Sequence, residues 1–188
     1  MISTSTNIKA VNKVLSSIGD SPVNTIENPT NVNVINAISI LEDVNREEQS
    51  KGWSFNSIAS YTLNVDVNTH MINWSSTYLR LKTTNGNILS KKGDYVYNFS
   101  KQTYLFTGDV KVSAIILVDM DEMPEPMKNY IIAKASYEFQ GRYLGDPELA
   151  EKLLEKLREA WASLQDYEME NNDYNMLKNP EVVMIVGA

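Results

Sequence analysis

DMDEMPEPMKNYIIAKASYEFQGRYLGDPELAEKLLEKLREAWASLQDYEMENNDYNML, residues 119–177, decides the fold. Two helices are legible on either side of a Gly145-Asp146-Pro147 corner. The first opens near Pro124–Pro126, since proline is tolerated in a first helical turn and pushes its predecessor toward extended backbone. The acidic run Asp119, Asp121, Glu122 and Glu125 stands at the positive end of that helix. Its apolar stripe is Ile131 or Ile132, Ala135, Phe139 and Tyr143, and it closes at Leu144-Gly145. Asp146 is placed to cap the second helix, with Pro147 in its first position. Leu149, Leu153, Leu157, Ala160, Leu164 and Tyr167 then recur at steps of three and four over about five turns. Asn171-Asn172-Asp173 is expected to break this helix, leaving a polar, aromatic trailer at Tyr174–Leu177.

Toward the N-terminus, residues 6–18 carry Ile8, Val11, Leu15 and Ile18 on one helical face with Val14 beside it. Gly19 and Pro22 stop that helix, and Pro22–Ile26 reads as an extended connector. A second helix starts at Thr30 or Asn31, runs through Val34, Ile38, Leu41 and Val44 to Lys51, and ends at Gly52. From about Ser57 to Val118 the texture changes. Short stretches rich in Tyr, Val, Ile, Leu and Thr predict strands at 59–65, 78–83, 87–89, 95–98 and 110–118. The turns between them are Thr84-Asn85-Gly86, Lys92-Gly93-Asp94 and Gly108-Asp109. The fold expected is therefore α+β. A bundle of about four helices (1–56 and 123–170) carries a small antiparallel sheet or open barrel (57–122) inserted between its second and third helices. A tail, 171–188, ends in the apolar run Val182-Val183-Met184-Ile185-Val186, which is expected to dock on the chain itself or on a partner.

With 188 residues the chain is long enough to fold on its hydrophobic core alone. It has no cysteine, which rules out disulfides, thiolate catalysis and cysteine zinc sites. Its formal charge of −7 argues against tight wrapping of nucleic acid, though not against a protein that nucleic acid merely passes. The N-terminus shows neither the charged nor the apolar region of a signal peptide, and no apolar run approaches the ~20 residues that span a bilayer. A soluble protein without membrane insertion is expected.

Chemistry is hard to find. The acidic run 119–125 lacks the loop pattern of a calcium site, and interaction with the dipole of the following helix accounts for it better. Carboxylates are abundant, but most lie on helical surfaces beside Lys or Arg, as Glu148 does with Lys152, so no pair facing across a cleft can be named. The single histidine, His70, sits in a loop-like stretch without metal-ligand spacing or a nucleophile elbow. Lys91-Lys92 is a two-residue basic step at a turn. The glycines are scattered singly, so no phosphate loop exists. No catalytic residue, metal site or cofactor is expected. Trp53 with Phe55 suits a plug where helices meet the sheet. Tyr130, Tyr137, Tyr143, Tyr167 and Tyr174 gather at the helical end, and tyrosine is a residue that interfaces favour. Between Asp146 and Glu170 eight acidic residues stand against three basic ones, a net of −5, which suits no phosphate ligand.

Several of these motifs fall in one order. Ala10–Gly19 followed by Ser21-Pro22-Val23, then Gln49-Ser-Lys-Gly-Trp-Ser-Phe-Asn56, then Gly93-Asp-Tyr-Val-Tyr97 resemble successive segments of the tail tubular protein A family, the head-to-tail adaptors of short-tailed podophages. Asp121–Glu125, Ala133–Ser136, Tyr167–Glu170 and Tyr174–Leu177 match its closing helical region. The resemblance covers about residues 8–177. It implies a structural virion protein of the tail, assembled in the host cytoplasm. It further implies a ring of twelve subunits that joins the portal to the tail nozzle, seats tail fibres and lets DNA leave through its lumen. Some of the negative charge is then expected to face the lumen, where it would keep DNA from sticking. Contacts with neighbouring subunits, portal and nozzle are expected from Tyr167, Tyr174, Asn175, Met176 and Leu177, and from Val182, Val183 and Ile185 in the tail. The competing readings are a tail-associated glycan hydrolase, which needs the carboxylate pair not found, and a DNA-binding module, which the charge balance disfavours.

Overall fold

The computed structural model describes residues 4–177, with side chains from 7 to 171. Four helices and a five-stranded antiparallel sheet follow one another as α1 (Thr4–Ser16), α2 (Val32–Ser50), β1 (Ser57–Leu63), β2 (Tyr78–Thr83), β3 (Ile88–Lys92), β4 (Tyr95–Asn98), β5 (Val110–Ile116), α3 (Glu125–Tyr143) and α4 (Pro147–Leu177). The α+β class and the position of the strands between the second and third helices are as the sequence pattern predicts. The chain divides into two compact units, Met1–Arg46 with Asp119–Ala188, and Glu47–Val118. The division runs through the last turn of α2.

In the helical unit, α1 buries Ala10, Val11, Val14 and Leu15. It ends as its glycine requires. Gly19 takes a φ of 77°, and the Gly19 and Asp20 amides close back on the Ser16 and Leu15 carbonyls. Asn12 then clamps the connector, accepting from the Val23 amide (2.8 Å) and donating to the Val23 carbonyl (3.0 Å). Asn31 is the residue that caps α2: its carboxamide oxygen takes the Asn33 amide at 2.8 Å. The α2 stripe is Val34, Ala37, Ile40, Leu41 and Val44, with Ile38 only half-buried at its flank.

The long helix α3 packs on α1 and on α4. Ile131, rather than Ile132, joins Met127, Ala135 and Phe139 in the core, and Ser136 and Gln140 are buried with them. Tyr143 was expected in this stripe but is 46% exposed, lying against the Phe139 ring at the last turn. In α4, Asp146 caps as anticipated, accepting the Glu148 and Leu149 amides at 2.9 and 3.1 Å. Leu153 and Leu164 are its most buried residues. The predicted break at Asn171-Asn172-Asp173 does not occur, and α4 continues to Leu177. Asn and Asp cost only about 0.7 kcal/mol relative to Ala inside a helix, and no Gly or Pro follows before Pro180. Asn171 also turns its amide inward on the helix, donating to the Tyr167 carbonyl at 2.9 Å.

The second unit is the sheet with its neck. Strand order is β1-β5-β2-β3-β4, all antiparallel. Strands β2 to β4 form a meander, and β5 returns to lie between β1 and β2. Ser57 at the start of β1 thereby pairs with Ile115 at the end of β5, so the chain enters and leaves the sheet side by side. The Thr84-Asn85-Gly86 turn is the three-residue kind. Only Gly86 has positive φ (82°), and Thr83 and Asn87 pair across it. Lys91-Lys92, read from sequence as lying at a turn, instead ends β3. One face of the sheet buries Leu63, Leu81, Leu89, Val96, Val112 and Ala114, closed over by Ile72 and Phe106 from the loops. Tyr61, Trp74 and Tyr78 stack edge-on at the rim, where burial and the Tyr61 hydroxyl push the Tyr78 phenol up to about 12.

Candidate assembly surfaces

Among the described residues no group of three His, Cys, Asp or Glu side chains is placed to hold a metal ion. No described helix is long and apolar enough to cross a membrane. The acidic run before α3 is held by local chemistry. Lys128 donates to the Glu125 carboxylate at 2.8 Å and to the Asp121 carbonyl at 3.3 Å, and the Lys128 bond holds the Glu125 carboxyl below its ordinary value. No side chain caps the helix by a hydrogen bond, so Glu125 in the first turn acts on the dipole by charge alone. His70 is exposed at a φ of 55° and ends a turn built on Asp66. The Asp66 carboxylate accepts the Asn68 and Thr69 amides and the Thr69 hydroxyl, which hold its carboxyl low. The Glu125 and Asp66 carboxyls thus stay ionised, whereas a proton-donating acid needs its carboxyl held up.

The neck of the sheet unit holds a buried cluster of side-chain amides. Gln49, on the last turn of α2 and fully buried, takes the Val118 amide on Oε1 (2.8 Å) and donates from Nε2 to the Val118 carbonyl (2.9 Å). Asn56 stands beside it, also fully buried. Its Nδ2 donates to the carbonyls of Gln49 (2.9 Å) and Ile116 (3.0 Å), while its Oδ1 accepts the Trp53 amide at 2.8 Å. The Trp53 indole N–H closes on the Glu48 carbonyl at 2.7 Å. Gly52, at a φ of 85°, lets the neck lie on β5: a Cβ there would stand 2.5 Å from Ile115 Cδ1. The segment Gln49–Asn56 therefore does structural work. It fastens the entering and leaving strands together with amides that have no charge to neutralise.

Two exposed surfaces stand out. The first is the sheet face opposite the core. Cross-strand partners share a face, and the register puts Lys111 with Thr62, Arg80 with Ile115, Lys82 with Ser113 and Ile88, and Lys92 with Tyr95 on the outer one. Arg80, Lys82, Lys92 and Lys111 are all exposed, and the five strands contain no Asp or Glu. At the β4 side the Lys92 ammonium lies 4.2 Å from the Tyr97 ring centre, and Tyr97 meets Phe99 and Tyr104 edge-on. A shallow hollow of about 210 Å³ opens among Ser57, Arg80 and Ser113. The sequence signal was the strand alternation itself, with cations at the outward positions, and the chain's overall negative charge hid it.

The second surface is the outer side of α4. Glu148, Glu151, Glu155, Glu159, Asp166 and Glu170 follow at steps of three, four and seven, so they fall on one stripe. All are exposed, on the side away from Leu153 and Leu164. Lys152 is the one cation within that stripe, and Ala162 and the 58% exposed Met169 lie along it. Of the residues expected at partner contacts, Tyr167 is half-buried on α4. Tyr174, Asn175, Met176 and Leu177 belong to the last turns of the same helix, but their side chains lie outside those described. Val182, Val183 and Ile185 lie outside the described residues altogether.

A family model described as tail tubular protein matches residues 8–174. No curated protein matches the chain.

Proposed function

We propose a place in the phage particle from one premise: this chain belongs to the tail tubular protein family. As a member it is a structural component of the virion tail and assembles with other virion proteins. Our reading goes further. The chain is a head-to-tail adaptor whose copies form a ring, twelve in number, between the portal and the tail nozzle. The ring encloses the passage through which DNA leaves and gives tail fibres their seat. Tyr167, the last turns of α4 (Tyr174, Asn175, Met176 and Leu177) and the tail residues Val182, Val183 and Ile185 serve as contacts with these partners. The protein carries no catalytic role and no cofactor.

The observation that carries this reading is the family match over nearly the whole chain. The architecture supports it independently. Rings grow by head-to-tail contacts between two different surfaces, and this chain presents two units of unlike structure. Electron microscopy of the purified protein mixed with its portal tests it. Rings seated on the portal are the expected result. Portals that stay bare at saturating protein, or sustained clearing of permeabilised host cells that one carboxylate substitution abolishes, would replace the adaptor with another function.

A further inference from the structure

Charge is divided between the units far more sharply than the total suggests. Glu47–Val118 holds seven basic and five acidic residues, a net of +2, while the remainder holds ten and nineteen, a net of −9. Within each unit the excess is concentrated on one exposed surface: the outer sheet face, with four cations and no strand carboxylate, and the α4 stripe, with six carboxylates and one lysine. A single-signed helix face is most often merely solvated. Here, however, a single-signed face of opposite charge stands on the other unit of the same chain.

We propose that the outer sheet face of one copy docks on the acidic α4 stripe of the next. This rests on the ring reading above and names its subunit contact. The dimensions agree. Lys111 on β5, Arg80 and Lys82 on β2 and Lys92 on β3 form a diagonal band, roughly 10 Å across three strands and about 20 Å along them. Glu151, Glu155, Glu159 and Asp166 span fifteen residues of α4, about 22 Å. Each surface also carries an apolar anchor beside its charges, Ile88 at 59% exposure on the sheet and Met169 at 58% on the helix. Because the two surfaces differ, the contact is heterologous and can repeat around a ring, whereas a two-fold axis through either surface alone would set like charge against like. The acids left to line a passage are those outside the stripe, among them Glu42 and Asp43, both exposed on α2. Double-stranded DNA is the rival occupant of a basic face edged with aromatics. A second copy is preferred because this chain itself carries the complementary single-signed stripe on α4.

Charge reversal tests the contact in the full chain. Arg80→Glu with Lys82→Glu and Lys111→Glu reverses the sheet, and Glu151→Lys with Glu155→Lys and Glu159→Lys reverses the stripe. All are exposed positions, and circular dichroism checks the fold; should a triple variant fail to fold, Lys82→Glu against Glu155→Lys repeats the test. Ring formation on the portal, read by sedimentation and electron microscopy, is expected to fall at least ten-fold in either variant alone and to return when both are combined in one chain. A wild type that forms rings while either reversal leaves them unchanged, or a combined variant as defective as its parents, overturns the contact and leaves the ring standing. Retention of a short DNA duplex that the sheet reversal abolishes, with ring formation intact, makes the face a nucleic-acid surface instead. A wild type that forms no ring with the portal present removes the ring reading, and this contact with it.

Discussion

Replacing Gln49 by Leu should loosen the sheet unit at its neck. Leucine is close to glutamine in volume, so the substitution removes polar atoms without opening a large cavity. It leaves the Val118 amide and carbonyl, now held at 2.8 and 2.9 Å, without their partner. Each stranded backbone group in a buried setting costs about 1–3 kcal/mol. Val118 is only half-buried, so water recovers part of that, and a net loss of about 2–4 kcal/mol is expected. With a urea dependence of roughly 2 kcal/mol/M the midpoint falls by about 1–2 M. Urea unfolding followed by circular dichroism measures the loss, and amide exchange at Ile116 and Val118 locates it. Gln49→Glu supplies a sharper version. Ionised, the new carboxylate accepts from the Val118 amide but meets the Val118 carbonyl oxygen with no proton to offer; protonated, it donates there. Its folded pKa is therefore raised above the ordinary ~4.3. Relative to wild type at the same pH, the variant's stability is best below that unfolded value and is lost as pH rises through the folded one. A Gln49→Leu loss under about 0.5 kcal/mol with unchanged exchange, or a Gln49→Glu deficit flat from pH 4 to 8, would refute the account of the neck.

Other outcomes follow from the same geometry. Gly52→Ala puts a Cβ 2.5 Å from Ile115 Cδ1 and a side chain at a φ of 85°, so a loss of about 2–4 kcal/mol is expected. Adding Ile115→Val should return the part due to the clash, which a double-mutant cycle in urea measures; strict additivity would show that only the backbone matters. Asp66→Ala should speed amide exchange at Asn68 and Thr69, which donate to its carboxylate. Because that carboxyl is held low, its contribution is present above the unfolded value of about 3.9 and disappears as pH falls through the lower folded value; NMR exchange rates from pH 5 to 2 show it. Leu164→Ala empties a fully buried position of α4 and should cost about 2–5 kcal/mol in thermal unfolding. Asn172→Pro should cut the helical dichroism measurably, since it falls inside α4; a helix that ended at residue 170 would leave it unchanged.

Three helix boundaries were legible because each rests on a local bond or backbone angle that one residue type supplies. Asn31 and Asp146 accept amides of the first turn, and Gly19 takes the backbone angle that closes the last one. The strands were legible to within two or three residues from their Tyr-, Val-, Ile-, Leu- and Thr-rich composition and the turn residues between them. What escaped was either non-local or an exception to propensity. The Gln49–Val118 clamp joins residues 69 apart, and nothing in the pattern around Gln49 marks it as other than one more polar residue near a helix end. The inward rotation of Ile131 and outward rotation of Tyr143 depend on which side of α3 its neighbours occupy. The helix runs through Asn171 because asparagine costs little inside a helix and its amide finds the Tyr167 carbonyl of the same helix. The basic face was missed for a different reason: its cations are spread over strands that are distant in sequence and meet only through the register.

Cations gathered by register from distant strands limit what net charge says about a subunit of this kind. At physiological salt the field of an exposed charge fades over about 8 Å, so the sum of −7 is felt by nothing that touches the protein at one place. A neighbour on the outer sheet face meets Arg80, Lys82, Lys92 and Lys111; one on α4 meets the carboxylate stripe. Net charge therefore bears on what the whole chain attracts from a distance, and the local face on what it binds. The same screening separates the two occupants of the sheet face. Docking on α4 exchanges a few ion pairs, so raising the salt should weaken ring contacts by a modest factor and leave the apolar anchors Ile88 and Met169 in place. Binding of DNA releases condensed counterions, so it should fall steeply, with a log–log slope near −0.9 for each phosphate neutralised. The slope of assembly against salt thus tells which kind of surface the strands have built.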